Sequence, residues 1–131
     1  MEKAANAGNK TAASNMSLAY RKGDGVEVNI EKSIEWAIKA AELGDDDRIF
    51  QYTVAYFNGE DPVTEDKAKA VEFFVLAANA GSSTAMENLG VCYNNGYGVA
   101  LDKNKAIEWF EKAAKEGGSK KAMDNLEDLY P

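Results

Sequence analysis

Residues 85–117 read AMENLGVCYNNGYGVALDKNKAIEWFEKAAKEG, and this stretch decides the fold. Apolar residues recur in it at helical spacing, first before and then after a glycine-rich segment that interrupts the pattern. We expect Gly96 to end the first helix in a left-handed conformation and Asp102 to cap the start of the second. The stretch therefore predicts two helices joined by a tight turn.

The same unit recurs along the chain. Four glycines mark the ends of successive units at intervals of 36, 37 and 36 residues, namely Gly8, Gly44, Gly81 and Gly117. Laid over each other without gaps, residues 9–44 and 82–117 agree at 15 of 36 positions. Repeats of this length indicate stacked supersecondary units. We expect one domain, 1–131, that comprises the end of a preceding repeat (1–8), repeat 1 (9–44), repeat 2 (45–81), repeat 3 (82–117) and the first helix of a further repeat (118–131).

Because neither end completes a repeat, we expect the chain to be a segment of a longer repeat protein. Residues 3–8 match the close of a second helix, and Ala122, Leu126 and Tyr130 match a first helix. The alternative is a complete domain with reduced capping elements. No segment alternates apolar and polar residues with period two, so the predicted class is all-α. Asn29 and Asp66 occupy the position of Asp102 in the other repeats and are predicted to cap their second helices.

The order of residues from Ala85 to Gly117, Ala-x3-Leu-Gly-x2-Tyr-x2-Gly-x-Gly-Val-x2-Asp-x2-Lys-Ala-x2-Trp-Phe-x-Lys-Ala-Ala-x2-Gly, resembles the Sel-1-like repeat, a relative of the tetratricopeptide repeat. The resemblance covers essentially all of the 131 residues. It implies a right-handed α/α solenoid, a superhelix of helix-turn-helix units whose first helices line a concave groove. Repeat 2 departs most, because Arg48 replaces a small alanine and the inter-helix loop at 59–63 is one residue longer. Repeat 1 has Ser17 and Ser33 where repeat 3 has Gly90 and Ala106.

Composition and charge exclude several functions. The net charge of −7 argues against a nucleic-acid partner, because phosphate binding requires clustered lysine and arginine. No apolar stretch is long enough to predict a membrane span. The chain has no histidine and a single cysteine, so it lacks the usual general base and the usual metal ligands. We therefore predict no catalytic residues, no cofactor and no metal.

Chemically suggestive residues have structural interpretations. Cys92 takes a small inward position filled by alanine in the other repeats, so we expect it to pack in the core. The run 45–47 of three aspartates lacks the spacing of a calcium loop and is expected to open a helix. The glycine pairs near Gly96 follow a helix and are expected to form turns rather than a phosphate cradle. Trp36 and Trp109 share one register and are expected to be buried anchors.

Surplus apolar residues suggest where a partner binds. Phe50, Val54 and Phe57 form a second apolar stripe on the first helix of repeat 2, at positions that the other repeats fill with mixed residues. By the resemblance, this stripe lies at the centre of the concave groove. The remaining predicted contacts are Leu18, Arg21, Asn58, Glu87, Val91 and Asn94. The alternative is that these side chains sink into crevices between first helices.

The sequence predicts a protein–protein interaction module, an adaptor or scaffold that binds a peptide or protein surface. One alternative is a structural spacer or self-association arm of a larger protein, with Val75 and Leu76 as the self-association patch. A third is a hydrolase like certain cysteine-rich relatives, which carry paired cysteines in each repeat. The single Cys92 disfavours it.

Overall fold

The computed structural model describes residues 8–129. Within them lie seven α-helices and no β-strand. The helices, numbered in chain order, are α1 (Lys10–Lys22), α2 (Ile30–Glu42), α3 (Asp47–Asn58), α4 (Lys67–Asn79), α5 (Ser83–Asn95), α6 (Lys103–Gly117) and α7 (Lys120–Leu129). Apart from Gly8, the predicted helix end at residues 3–8 falls outside the described residues, as does Tyr130.

The chain divides into two compact units at the boundary between Glu65 and Asp66. In the first unit, α2 packs against both α1 and α3, and α3 also touches α1. In the second unit, each helix packs against the next, from α4 to α7.

The helix boundaries follow the predicted capping residues. Asn29, Asp66 and Asp102 each accept a hydrogen bond from the backbone N–H three residues later, at 3.0–3.1 Å. Gly96 ends α5 in the left-handed conformation, and its N–H donates to the Cys92 carbonyl. These predictions are confirmed. At the start of α3 the N-cap residue, Asp46, makes no side-chain capping bond, and the carboxylate of the preceding Asp45 accepts from the Asp47 N–H at 3.2 Å.

The core of the first unit contains polar side chains at the positions where repeat 1 departs from repeat 3. Ser17 and Ser33 are almost fully buried and join α1 to α2 through reciprocal hydrogen bonds. Tyr52 on α3 is buried against them. These substitutions therefore form one polar cluster, which a single helical repeat does not reveal.

The core of the second unit is apolar and tightly fitted. Gly90 on α5 faces the ring of Phe110 on α6, and a Cβ atom added at Gly90 would lie 2.5 Å from a ring carbon. The same positions of repeat 1 hold Ser17 and Ala37, so a smaller residue on one helix accompanies a larger one on the other. Close packing of this kind makes the two positions interdependent.

The two tryptophans differ from the buried anchors that the sequence predicts. Trp36 and Trp109 are only half-buried. Trp36 packs on the small apolar cluster of α1 and α2, and Lys39 and Lys112 place their ammonium groups 5.7 and 5.5 Å from the centres of the Trp36 and Trp109 rings. The fully buried ring of α6 is the neighbouring Phe110, which is 1% exposed.

Candidate functional site

The predicted partner contacts fall on three first helices. In the first unit, α1 carries Leu18 and Arg21, and α3 carries Phe50, Val54, Phe57 and Asn58. In the second unit, α5 carries Glu87, Val91 and Asn94.

The first unit has an open pocket of about 530 Å³ on the surface formed by α1, α3 and the loop that follows α3. We call it the α1–α3 pocket. Its lining residues are Arg21, Phe50, Gln51, Val54, Ala55, Glu60 and Asp61. Three of the predicted contacts, Arg21, Phe50 and Val54, are therefore brought together in one concave site.

The apolar side chains of the predicted stripe differ in their exposure to solvent. Val54 is 47% exposed, whereas Phe50 and Phe57 are half-buried. Leu18 is also half-buried, and neither it nor Phe57 is among the lining residues. Val54 is consequently the most accessible apolar contact point of the predicted stripe.

A network of hydrogen bonds sets the basic side of the pocket. Arg21 donates to the Gln51 side-chain oxygen at 3.2 Å, and its guanidinium lies 5.6 Å from the centre of the Tyr52 ring. Arg48 donates to the same Gln51 oxygen at 3.4 Å and to the Ser14 hydroxyl at 3.2 Å. Arg48, which replaces a small alanine, thus connects α3 to α1 beside the pocket.

The acidic side of the pocket comes from the loop after α3. Gly59 ends the helix in the left-handed conformation, and the Glu60 N–H donates to the Ala55 carbonyl at 2.8 Å, which turns the chain back towards the pocket. The Asn58 side chain donates to the Glu60 carboxylate at 3.1 Å. Asn58 therefore does not line the pocket but holds a residue that does.

Sequence reasoning missed four lining residues: Gln51, Ala55, Glu60 and Asp61. A signal for Glu60 and Asp61 was present, because they lie in the loop that is one residue longer than in the other repeats. Unusual loops on a repeat scaffold often carry function. Gln51 and Ala55 have no comparable signal, since the helical period alone does not place them beside Arg21.

In the second unit, the predicted polar contacts are tied to neighbouring helices. The Lys103 ammonium donates to the Asn94 side-chain oxygen at 2.7 Å, and the Ser119 hydroxyl donates to a Glu87 carboxylate oxygen. Val91, which lies between Glu87 and Asn94 in the sequence, has a half-buried side chain. On α4, Val75 and Leu76 are also half-buried, so the predicted self-association patch exposes only part of its apolar surface.

Cys92 lies in the core of the second unit, as predicted. It is 2% exposed, and desolvation by burial raises the pKa of its thiol to about 11. Since the thiolate is the reactive form, Cys92 does not have the character of a nucleophile.

Among residues 8–129, no three histidine, cysteine or acidic side chains are grouped to hold a metal ion. No helix in this part of the chain combines the length and apolar character that crossing a bilayer requires.

Consecutive helical hairpins with a common period define the chain as an all-α repeat protein of the solenoid class. The family model for the Sel1 repeat matches residues 11–45, 50–82 and 83–118. The chain therefore belongs to the Sel1 repeat family, as its resemblance implied. Sel1 repeats are commonly protein–protein interaction modules, and proteins built from them are generally non-enzymatic scaffolds.

Solved structures are similar over nearly the whole chain. A Sel1 repeat protein from Oxalobacter formigenes has a TM-score of 0.72 and 35% identity, covering 97% of this chain and 94% of that one. A protective antigen present in uropathogenic Escherichia coli strains, displaying an SLR fold, has a TM-score of 0.69 and 30% identity, covering 98% of this chain and 27% of the antigen. Helicobacter pylori cysteine rich protein B shares the fold, with a TM-score of 0.64, 24% identity and coverage of 95% and 93%. No curated protein matches the sequence.

Proposed function

We propose that this chain is a non-catalytic interaction module, an adaptor or scaffold that binds a peptide or protein surface at the α1–α3 pocket. The observation that carries the proposal is the pocket itself, an open concavity that places the exposed Val54 and the half-buried Phe50 beside polar groups of both signs. Sites of this composition, an apolar wall with a few convergent polar groups, are typical of binding surfaces.

The size of the pocket supports a peptide-sized contact. A volume of about 530 Å³ is within the range of small-ligand pockets and accommodates a few amino-acid side chains. Its openness to solvent suits a segment that lies across the surface. Glu87, Val91 and Asn94 remain proposed contacts on the second unit, taken separately.

The other functions have less support. A hydrolase would need an activated nucleophile, and the buried thiol of Cys92 is unsuited to this role. Self-association through Val75 and Leu76 would begin from side chains that are already half-buried. The acidic net charge of −7 disfavours a nucleic-acid partner.

The test is a selection of random peptides on the immobilised protein, followed by affinity measurements on two matched variants. Val54→Ser removes an exposed apolar side chain from the pocket, and Val28→Ser removes one that is 59% exposed in the α1–α2 loop of the same unit. We expect Val54→Ser to weaken the selected peptides by about tenfold, an interaction of roughly 1.4 kcal/mol, and Val28→Ser to leave them unchanged.

Circular dichroism melting of both variants serves as the control for folding. Equal affinities for wild type and folded Val54→Ser would place the binding site outside the pocket and contradict the proposal. Light scattering over a concentration series separates partner binding from self-association.

A further inference from the structure

The lining of the α1–α3 pocket has an uneven charge. It contains two carboxylates, Glu60 and Asp61, and one guanidinium, Arg21. Arg21 already contacts Gln51 and the Tyr52 ring. Within the described residues, neither carboxylate forms an ion pair with a lysine or an arginine. The pocket therefore presents two carboxylates whose charge no lysine or arginine among residues 8–129 neutralises through an ion pair.

The end of α3 adds to this negative potential. The C-terminal end of a helix carries partial negative charge from its last carbonyl groups. The last turn of α3 has no basic residue, whereas the last turn of α1 carries Arg21 and Lys22. Glu60 and Asp61 directly follow Gly59, the C-cap of α3. Their negative charges therefore add to the partial negative charge of the helix C-terminus.

An apolar surface lies next to the two carboxylates. Phe50, Val54 and Ala55 line the same pocket, and Val54 is its exposed apolar residue. A ligand that matches both features has a bulky apolar group and a positive charge close together. A peptide with a leucine-like side chain beside a lysine or an arginine has this chemistry.

We propose that the α1–α3 pocket binds basic peptide segments in which a bulky apolar side chain is flanked by lysine or arginine. This inference rests on the proposed function and names its partner class. The apolar side chain packs on Val54 and Phe50, and a flanking cation pairs with Glu60 and Asp61. The remaining N–H groups of Arg21, which also lines the pocket, donate to a peptide carbonyl, which orients the segment. The net charge of −7 speeds the encounter with a basic partner.

The test uses four end-capped peptides of equal length that differ in a three-residue core: Lys-Leu-Lys, Gln-Leu-Gln, Glu-Leu-Glu and Lys-Gly-Lys. Affinities are measured by fluorescence anisotropy at low and high salt. We expect Lys-Leu-Lys to bind about tenfold more tightly than Gln-Leu-Gln, because two partly screened ion pairs contribute together. Lys-Gly-Lys should be weaker for lack of an apolar side chain, and Glu-Leu-Glu should be the weakest.

Two double variants separate the site from the overall charge. Glu60→Gln with Asp61→Asn removes the pocket carboxylates, and Asp24→Asn with Glu27→Gln removes two exposed carboxylates from the α1–α2 loop of the same unit. Both change the net charge by the same amount. The pocket variant should lose most of the preference for Lys-Leu-Lys over Gln-Leu-Gln, and the loop variant should keep it.

Each contrary result has a distinct meaning. Equal losses in the two double variants would attribute the preference to net charge and overturn the proposal. Equal or tighter binding of Gln-Leu-Gln or Glu-Leu-Glu that depends on Val54 would also overturn it, while leaving the proposed function intact. If Lys-Leu-Lys does not bind at all, the basic class is excluded, and the random-peptide selection decides the proposed function independently.

Discussion

The hydroxyl oxygens of Ser33 and Tyr52 lie 2.6 Å apart in the core of the first unit. Ser17 Oγ donates to the Ser33 carbonyl and Ser33 Oγ donates to the Ser17 carbonyl, each at 2.7 Å. Since a serine hydroxyl has one hydrogen, the Tyr52 hydroxyl must donate to Ser33 Oγ. One buried network therefore joins α1, α2 and α3, and the Tyr52 ring at its end lies under the Arg21 guanidinium of the pocket.

Ser33→Ala is expected to destabilise the protein more than Tyr52→Phe. The first variant leaves the buried Tyr52 hydroxyl without its acceptor and costs about 1–3 kcal/mol, whereas the second removes the donor itself and costs about 1 kcal/mol. Urea denaturation measures both. The double variant should be more stable than Ser33→Ala alone, because Tyr52→Phe removes the hydroxyl that Ser33→Ala leaves without an acceptor. Tyr20→Phe, at a partly exposed ring, is the control and should change stability little.

Gly90 and Phe110 should be strongly coupled. Gly90→Ala places a methyl group against the Phe110 ring and is expected to cost about 1–3 kcal/mol by overpacking. In a Phe110→Ala background the same change should cost much less, because the ring is gone and the pair resembles Ser17 and Ala37 of repeat 1. A double-mutant cycle by urea denaturation measures the coupling. Additive effects would contradict the contact.

Neighbouring rings on α6 should differ in importance. Phe110→Ala is expected to cost about 3–5 kcal/mol, the usual loss for a buried aromatic ring. Trp109→Ala should cost less, because Trp109 is half-buried and its ring contacts Lys112 at the surface. Thermal melting of the two variants compares adjacent residues on one helix. A larger loss for Trp109→Ala would show that the tryptophan, not Phe110, anchors α6.

Cys92 should resist thiol reagents in the native protein. With a pKa of about 11, the thiolate fraction at pH 8 is about one in a thousand, and the sulfur is buried. The chain has one cysteine, so any labelling reports on it alone. We expect slow reaction in buffer and rapid reaction in denaturant. Rapid labelling of the folded protein would contradict the burial.

The same thiol makes stability depend on alkaline pH. Folding raises the Cys92 pKa from 9.0 to about 11, so the unfolded chain loses its proton first. The stability that the protonated thiol contributes is present in full below pH 9 and is lost as pH rises towards 11. Cys92→Ala should remove this part of the pH dependence, which denaturation curves across that range measure. An unchanged pH dependence in the variant would contradict the raised pKa.

Local sequence signals predicted the helices well. The caps at Asn29, Asp66 and Asp102 and the helix-ending Gly96 all depend on hydrogen bonds within a few residues, and the structure confirms each one. The prediction that Trp36 and Trp109 are buried was wrong, because it rested on helical periodicity alone. Adjacent residues on a helix differ by about 100°, so periodicity alone does not tell whether Trp109 or Phe110 faces the core.

The sequence predicted some of the residues that line the α1–α3 pocket and missed others. The apolar stripe that includes Phe50 and Val54 was visible in the sequence, because apolar residues stood at positions that the other repeats fill differently. Its acidic end was not predicted. Gly59 ends α3 in the left-handed conformation and the Glu60 N–H donates to the Ala55 carbonyl, but the packing of α1 against α3 decides that the residues after this turn line the same pocket as Arg21.

The sequence by itself determined the repeat, the all-α class, the capping residues and the inward position of Cys92, because helical period, capping chemistry and side-chain size act over short distances along the chain. Only the tertiary structure decided that Ser17, Ser33 and Tyr52 form one hydrogen-bonded network and that Arg21 meets Gln51 across two helices. Those contacts join residues 16 to 30 positions apart, and their geometry depends on how three helices pack together.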